Sequence, residues 1–163
     1  MRYGKAMKPS VYIETSVLSY LTGRPSRDVI VAGRQALTAE WWDTRRDRFD
    51  LYVSALVVTE AEDGDPEAVR RRLSAMEGIP AATVSDEAKA LARRLVHGGP
   101  MPEEYPEDAL HIAVCALNGI DYLLTWNCTH LANASLRRQV ERLVDTAGYR
   151  CPMICTPEEL MEV

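Results

Sequence analysis

Short runs of β-branched and aromatic residues alternate along this chain with longer stretches of helical period, and that alternation restricts the fold more than any other feature. Val11–Glu14, Leu51–Ser54, Ala81–Val84, Tyr122–Thr125 and Met153–Cys155 read as strands. Each gap between them is long enough for a helical crossover, so the strands are expected to run parallel, with helices covering the sheet. The fold class predicted is α/β, a three-layer α/β/α sandwich around a central parallel sheet.

Three connecting segments show how the helices would pack. Leu136, Val140, Leu143, Val144 and Ala147 fall on one face, with Arg137, Arg138, Glu141, Arg142 and Asp145 opposite, as in a surface helix. After Ser85, a capping residue, Asp86 and Glu87 suit a first turn, and Ala88, Leu91, Ala92 and Leu95 form the apolar stripe. Glu107–Asn118 is apolar nearly all round, which implies burial on more than one side, with its first turn beside the sheet. The breaker-rich residues 98–106 lead into it as a loop. A further long helix is expected from about Asp28 to Arg48, with Ile30, Leu37 and Trp41 on one face.

At 163 residues and 47% hydrophobic, the chain suits one core and one domain spanning residues 1–163, with its core at about residues 10–156. No apolar run approaches the roughly 18 residues of a membrane span, and residues 1–9 lack the pattern of a signal peptide. The expectation is a soluble, cytoplasmic protein without a membrane partner. Cys115, Cys128, Cys151 and Cys155 show no C-x2-C pairing, which argues against a zinc ribbon or a disulfide framework and for buried or idle thiols. A net charge of −5 and a pI near 5.3 oppose a broad basic nucleic-acid face. Net charge says little, however, about an enzyme that gathers carboxylates around a divalent ion, because the ion reverses the local sign. The arginine clusters at residues 45–48, 70–72, 93–94 and 137–138 read, each by itself, as solvated helix faces.

Parallel α/β sheets bind ligands beyond the carboxyl ends of their strands. Four such places carry polar groups. The first strand ends in Glu14-Thr15-Ser16. Glu60 lies about two turns into a helix that follows Ser54. Glu107-Asp108 open the buried helix, and the fourth strand ends in Thr125-Trp126-Asn127. Carboxylates in one cleft repel, and a divalent cation relieves that repulsion. Glu14, Glu60, Asp108 and Asn127 are all oxygen donors, which suits Mg²⁺ or Mn²⁺. Every one of these residues also has a structural reading. Glu107 and Asp108 stabilise a helix dipole, Glu60 sits among Glu62, Asp63 and Asp65, Thr15 or Ser16 caps a helix, and Asn127 makes a turn. Glu14 is the hardest to explain that way, since an unpaired carboxylate in a central strand costs on the order of several kcal/mol.

Taken in order, Val-Tyr-Ile-Glu14-Thr-Ser, Ser54-x5-Glu60, Asp108-Ala-Leu-His-Ile-Ala and Tyr-Leu-Leu-Thr125-Trp-Asn127-Cys-Thr-His130-Leu-Ala-Asn133 resemble the PIN-domain family from Val11 to about Thr156. Within that family the resemblance is to the toxin ribonucleases of type II toxin–antitoxin systems (VapC-like). It implies a metal-dependent endoribonuclease that leaves 5′-phosphate and 3′-hydroxyl ends. Glu14, Glu60 and Asp108 would be metal ligands, Asn127 a fourth catalytic position that binds or orients water, and Thr15, Ser16, Thr125 and His111 supporting groups. It also implies Mg²⁺ or Mn²⁺ as cofactor, RNA as substrate, a homodimer, and a small antitoxin whose C-terminal segment reaches the acidic cleft. Two positions depart from the family pattern: Glu14 stands where aspartate is usual, and Asn127 is neutral where aspartate is frequent. His111, one turn beyond Asp108 on nearly the same face, suits either a group that orients a ligand or water or a packed, hydrogen-bonded histidine. His130 with Cys128 lacks the other soft ligands of a zinc site; neither histidine is assigned to catalysis.

Other functions remain open on these residues. The two departures suit a catalytically weak or inactive module that acts by binding nucleic acid or protein. A phosphoacceptor domain would need an aspartate and a lysine at strand ends, and neither is present; a nucleotide-binding enzyme would need a glycine-rich phosphate loop, also missing.

Overall fold

In a computed structural model, which describes residues 7–162, the alternating segments form five strands and seven α-helices. Met1–Ala6, and with them most of the segment read for a signal peptide, lie outside the described residues. The strands are β1 (Ser10–Ile13), β2 (Asp50–Ser54), β3 (Ala81–Ala82), β4 (Tyr122–Leu124) and β5 (Met153–Cys155). The helices are α1 (Thr15–Thr22), α2 (Val29–Thr44), α3 (Ala55–Ala61), α4 (Pro66–Met76), α5 (Asp86–Val96), α6 (Pro106–Leu117) and α7 (Ala134–Thr146). All strand pairs are parallel, in the order β3-β2-β1-β4-β5, and the architecture is the three-layer α/β/α sandwich. β1 is central: Tyr12 sits beside Tyr52 of β2 on one side and Leu123 of β4 on the other, and Val11, Tyr12 and Ile13 are fully buried.

This order fixes where a ligand can enter. From β1 the chain builds β2 and β3 to one side, then returns to lay β4 and β5 on the other. The crossovers diverge between β1 and β4, leaving a crevice at their carboxyl ends. Glu14 and Thr125 stand there, one residue beyond the ends of β1 and β4.

Helices α2, α3, α5, α6 and α7 lie where the sequence reading puts them, whereas α1 and α4 are not located by it. Ser85 caps α5 by accepting the Ala88 amide at 3.1 Å, and α6 packs closely on α5 with Ala109 and 111–116 all buried. α2 stops at Thr44, followed by a 3₁₀ turn over Arg46–Arg48. Trp41 is buried and stacks on Phe49, whereas Ile30 is 67% exposed, so the first turn of α2 stands clear of the core its spacing suggested. The arginines at 70–72 are also less free than expected. Arg71 Nε donates to the Thr22 carbonyl at 3.0 Å, and Arg72 Nε donates to that of Ala61 at 3.1 Å, holding the ends of α1 and α3. Such carbonyls lack helical partners and attract a cation. Of the cysteines, Cys115 and Cys155 are buried, Cys151 is half-buried and Cys128 is exposed. Among the described residues, no helix is long and apolar enough to cross a membrane.

Candidate metal centre

Glu14 takes its position from two elements at once. Following β1, it is the N-cap of α1, and its Oε2 accepts the Ser16 amide at 2.9 Å. Its Oε1 accepts the Ser16 and Thr125 hydroxyls, both at 2.5 Å. Those hydroxyl oxygens in turn accept the Trp126 amide at 2.8 Å and the Asn127 amide at 2.9 Å. The carboxylate, 7% exposed, therefore stitches the ends of β1 and β4 together. Ionised, it has about four acceptor sites, and the single bond at Oε2 leaves capacity on that oxygen.

On the other flank, Ser54 caps α3, and that helix delivers Glu60 to the cleft. Glu60 Oε1 accepts the Thr15 hydroxyl at 2.7 Å and lies 2.7 Å from Nε2 of the fully buried His111. His111 Nδ1 is 2.7 Å from the Tyr12 hydroxyl, itself 2.7 Å from Ser54 Oγ. One chain of hydrogen bonds thus links β2, β1, α6, α3 and α1. Burial works to lower the His111 pKa, but the bond to Glu60 and the charges of Glu14, Glu60 and Asp108 outweigh it, leaving it raised. Burial likewise works to raise the Glu60 pKa, but the His111 bond and charge, with the Thr15 hydroxyl, hold it below its ordinary value. Both directions favour an imidazolium–carboxylate pair. Burial pushes the Tyr12 phenol far up, so it stays a neutral hydroxyl.

Asp108 faces the same cleft from the first turn of α6. Its Oδ2 lies 2.9 Å from Nδ1 of His130. Burial raises its pKa, and the Glu14 charge adds to that, against the pull of His130. Asn127 Oδ1 accepts the His130 amide at 3.0 Å, so this side chain supports the turn that carries His130. Tyr105 covers the His130 ring, with centroids 4.4 Å apart. Glu107 points away, exposed.

Ligating atoms of Glu14, Glu60 and His111 all lie within 4.8 Å of one another. This cluster brings together two of the expected ligands, Glu14 and Glu60, while Asp108 is paired with His130 outside it. His111, expected only in support, takes the third place. The three-residue spacing of Asp108 and His111 already puts them on neighbouring helix positions; what it does not show is that His111 meets Glu60 and that His130 meets Asp108. The protein also meets these carboxylates with partners of its own. Glu14 is satisfied by hydroxyls and an amide, Glu60 by Thr15 and His111, and Asp108 by His130.

The chain matches no protein-family model and no curated protein. The donor chemistry fits a divalent cation. Oε2 of Glu14 retains acceptor capacity, the one bonded oxygen of Glu60 leaves the other for a ligand, and Tyr12 can accept Nδ1–H of His111, which frees the Nε2 lone pair. A set of two carboxylates and one imidazole is softer than the all-oxygen set expected for Mg²⁺.

Proposed function

We propose that this chain is a divalent-metal-dependent nuclease of PIN-like type that hydrolyses phosphodiester bonds in RNA, as the toxin of a toxin–antitoxin pair. The observation that carries this reading is the cluster of Glu14, Glu60 and His111 in the crevice between β1 and β4, with Asp108 facing it. Glu14, Glu60 and His111 would hold Mn²⁺ or Mg²⁺, and a cation bound there supplies Lewis acidity toward the scissile phosphate and makes water a better nucleophile. Tyr12 fixes the His111 ring, and Ser16 and Thr125 fix Glu14. Asp108 keeps an oxygen beyond its bond to His130, able to orient the attacking water and take its proton at Oδ1. Asn127 acts through the turn it braces. The resemblance adds a homodimer, a small antitoxin partner and a cytoplasmic setting to the same proposal.

A catalytically inactive binding module is the second reading, favoured by the fact that every carboxylate in the cleft already has a partner within the protein. Cleavage of a mixed-sequence single-stranded RNA separates the two. The nuclease reading expects cleavage with Mn²⁺ or Mg²⁺, abolished by EDTA and reduced at least about 100-fold in Glu60→Gln and Asp108→Asn. Folded protein that cleaves with neither metal would leave the binding module.

A further inference from the structure

The turn over residues 125–130 supplies Thr125 to Glu14 and His130 to Asp108. It also carries two contacts that hydrolysis does not use. Arg34, from α2, lays its guanidinium 5.3 Å from the Trp126 ring centroid and brings Nη2 to 3.9 Å from Cys128 Sγ. Tyr20 hydrogen-bonds the same guanidinium and raises its pKa. The platform beneath it is rigid: Trp126 is buried, donates its indole N–H to Thr38 Oγ1 at 2.7 Å and packs on Tyr20. Among the described residues, Arg34 makes no ion pair with a carboxylate. It is a positioned, permanently charged donor beside an acidic crevice.

Tyr105 is the second group. It is 51% exposed, and its ring lies tilted by 32° over His130, the partner of Asp108. One ring face is held by an aromatic neighbour next to the acids, while half of the side chain meets solvent. Aromatic faces of this kind accept bases that are free of their own stack, which only single strands offer cheaply. A guanidinium with unused donors accepts phosphate oxygens.

We propose that Tyr105 and Arg34 form a binding site for single-stranded nucleic acid at the rim of the acidic crevice, with a base stacked on Tyr105 and a backbone phosphate on Arg34. The site rests on the phosphodiester reading for its purpose but is testable without it. It also accounts for how a chain of net charge −5 can hold a polyanion: a few fixed contacts replace a broad basic face.

Fluorescence anisotropy of labelled single-stranded RNA and DNA oligonucleotides with the full chain, in EDTA so that neither is cut, measures the site directly. Tyr105→Ala should weaken binding about ten-fold, and Tyr105→Phe should restore it, which a purely structural role for the hydroxyl would not allow. Arg34→Gln should weaken binding and flatten the slope of log affinity against log salt by about 0.7, the loss of one phosphate contact on a single strand. Equal losses on RNA and DNA support a general single-strand site, and a loss on RNA alone supports one that also reads ribose. Binding unchanged in both Tyr105→Ala and Arg34→Gln, with wild-type circular dichroism, overturns the proposal. Metal-dependent cleavage that survives such a result leaves the nuclease reading intact; absent cleavage with binding that needs both residues defeats that reading alone.

Discussion

Replacing Tyr12 by Phe removes one oxygen from a fully buried side chain and changes almost nothing else. That oxygen lies 2.7 Å from both Ser54 Oγ and His111 Nδ1, and both partners are fully buried. The two losses are unequal. Ser54 keeps the Val57 amide at 3.4 Å as its helix cap, whereas among the described residues no other hydrogen bond serves His111 Nδ1. A buried polar atom left without a partner costs about 1–3 kcal/mol, and easier burial of phenylalanine returns a fraction. The expected destabilisation of the metal-free protein is about 2 kcal/mol, or a Tm lower by about 4–8 °C for a domain of this size. Urea unfolding in EDTA measures it as a lower midpoint with unchanged m. Tyr52, beside Tyr12 on β2 and half-buried, is the control, and Tyr52→Phe should stay within about 0.5 kcal/mol of wild type. The same change should weaken Mn²⁺ binding about 10- to 100-fold, because the ring is no longer held by its outer nitrogen. Wild-type stability in Tyr12→Phe would refute the relay; lost stability with unchanged Mn²⁺ affinity would remove His111 from the metal site.

The ion pair makes stability depend on pH. His111 has a raised pKa in the folded state, so its contribution is complete below about 6.5 and is lost as pH rises through the folded value. Glu60 has a lowered one, so its contribution is present above about 4.5 and is lost as pH falls through the folded value. Metal-free protein should therefore be most stable between these limits, and a urea-derived stability still rising well above neutrality would contradict the pair. Mn²⁺ should raise the Tm in a concentration-dependent way, more strongly than Mg²⁺ and more at higher pH because it displaces the Nε2 proton; Glu60→Gln should abolish the shift. A thiol reagent should label one cysteine rapidly in native protein, the exposed Cys128. Cys151 and Cys155, pushed up to about 12 by burial, and the buried Cys115 should react only on unfolding. More than one fast thiol in native protein would contradict that burial.

The strands and the sheet's parallel character were legible because a hydrophobic period is a local property, and each run carries its own. Ile30 shows where that logic stops. Its spacing matches Leu37 and Trp41, but periodicity registers which face a residue shares and not whether another element reaches far enough to cover it, and Ile30 is left 67% exposed. His111 shows a different limit. In sequence it is one polar residue in an apolar helix, and nothing local reveals that Tyr12, 99 positions earlier, presents a hydroxyl to it. Glu60, 51 positions away, completes the pair. The carboxylates were legible at the carboxyl side of the sheet; the partners Thr125, His111 and His130 were not, because each arrives on an element remote in sequence.

Glu14 joins these two lessons. As a sequence feature it was an anomaly, a carboxylate longer by one methylene than the resemblance leads one to expect. In the fold it performs two structural tasks at once: it caps α1 through the Ser16 amide and reaches across the crevice to Thr125 beyond β4. Aspartate caps helices well but is shorter by that methylene, so the added length accounts for the bridge. The bridge lies where the crossovers diverge, the one place in the sheet where a pair of neighbouring strands would otherwise end in an open crevice. The acidic crevice is therefore preorganised by the protein's own hydrogen bonds, and a cation would bind to a site already built.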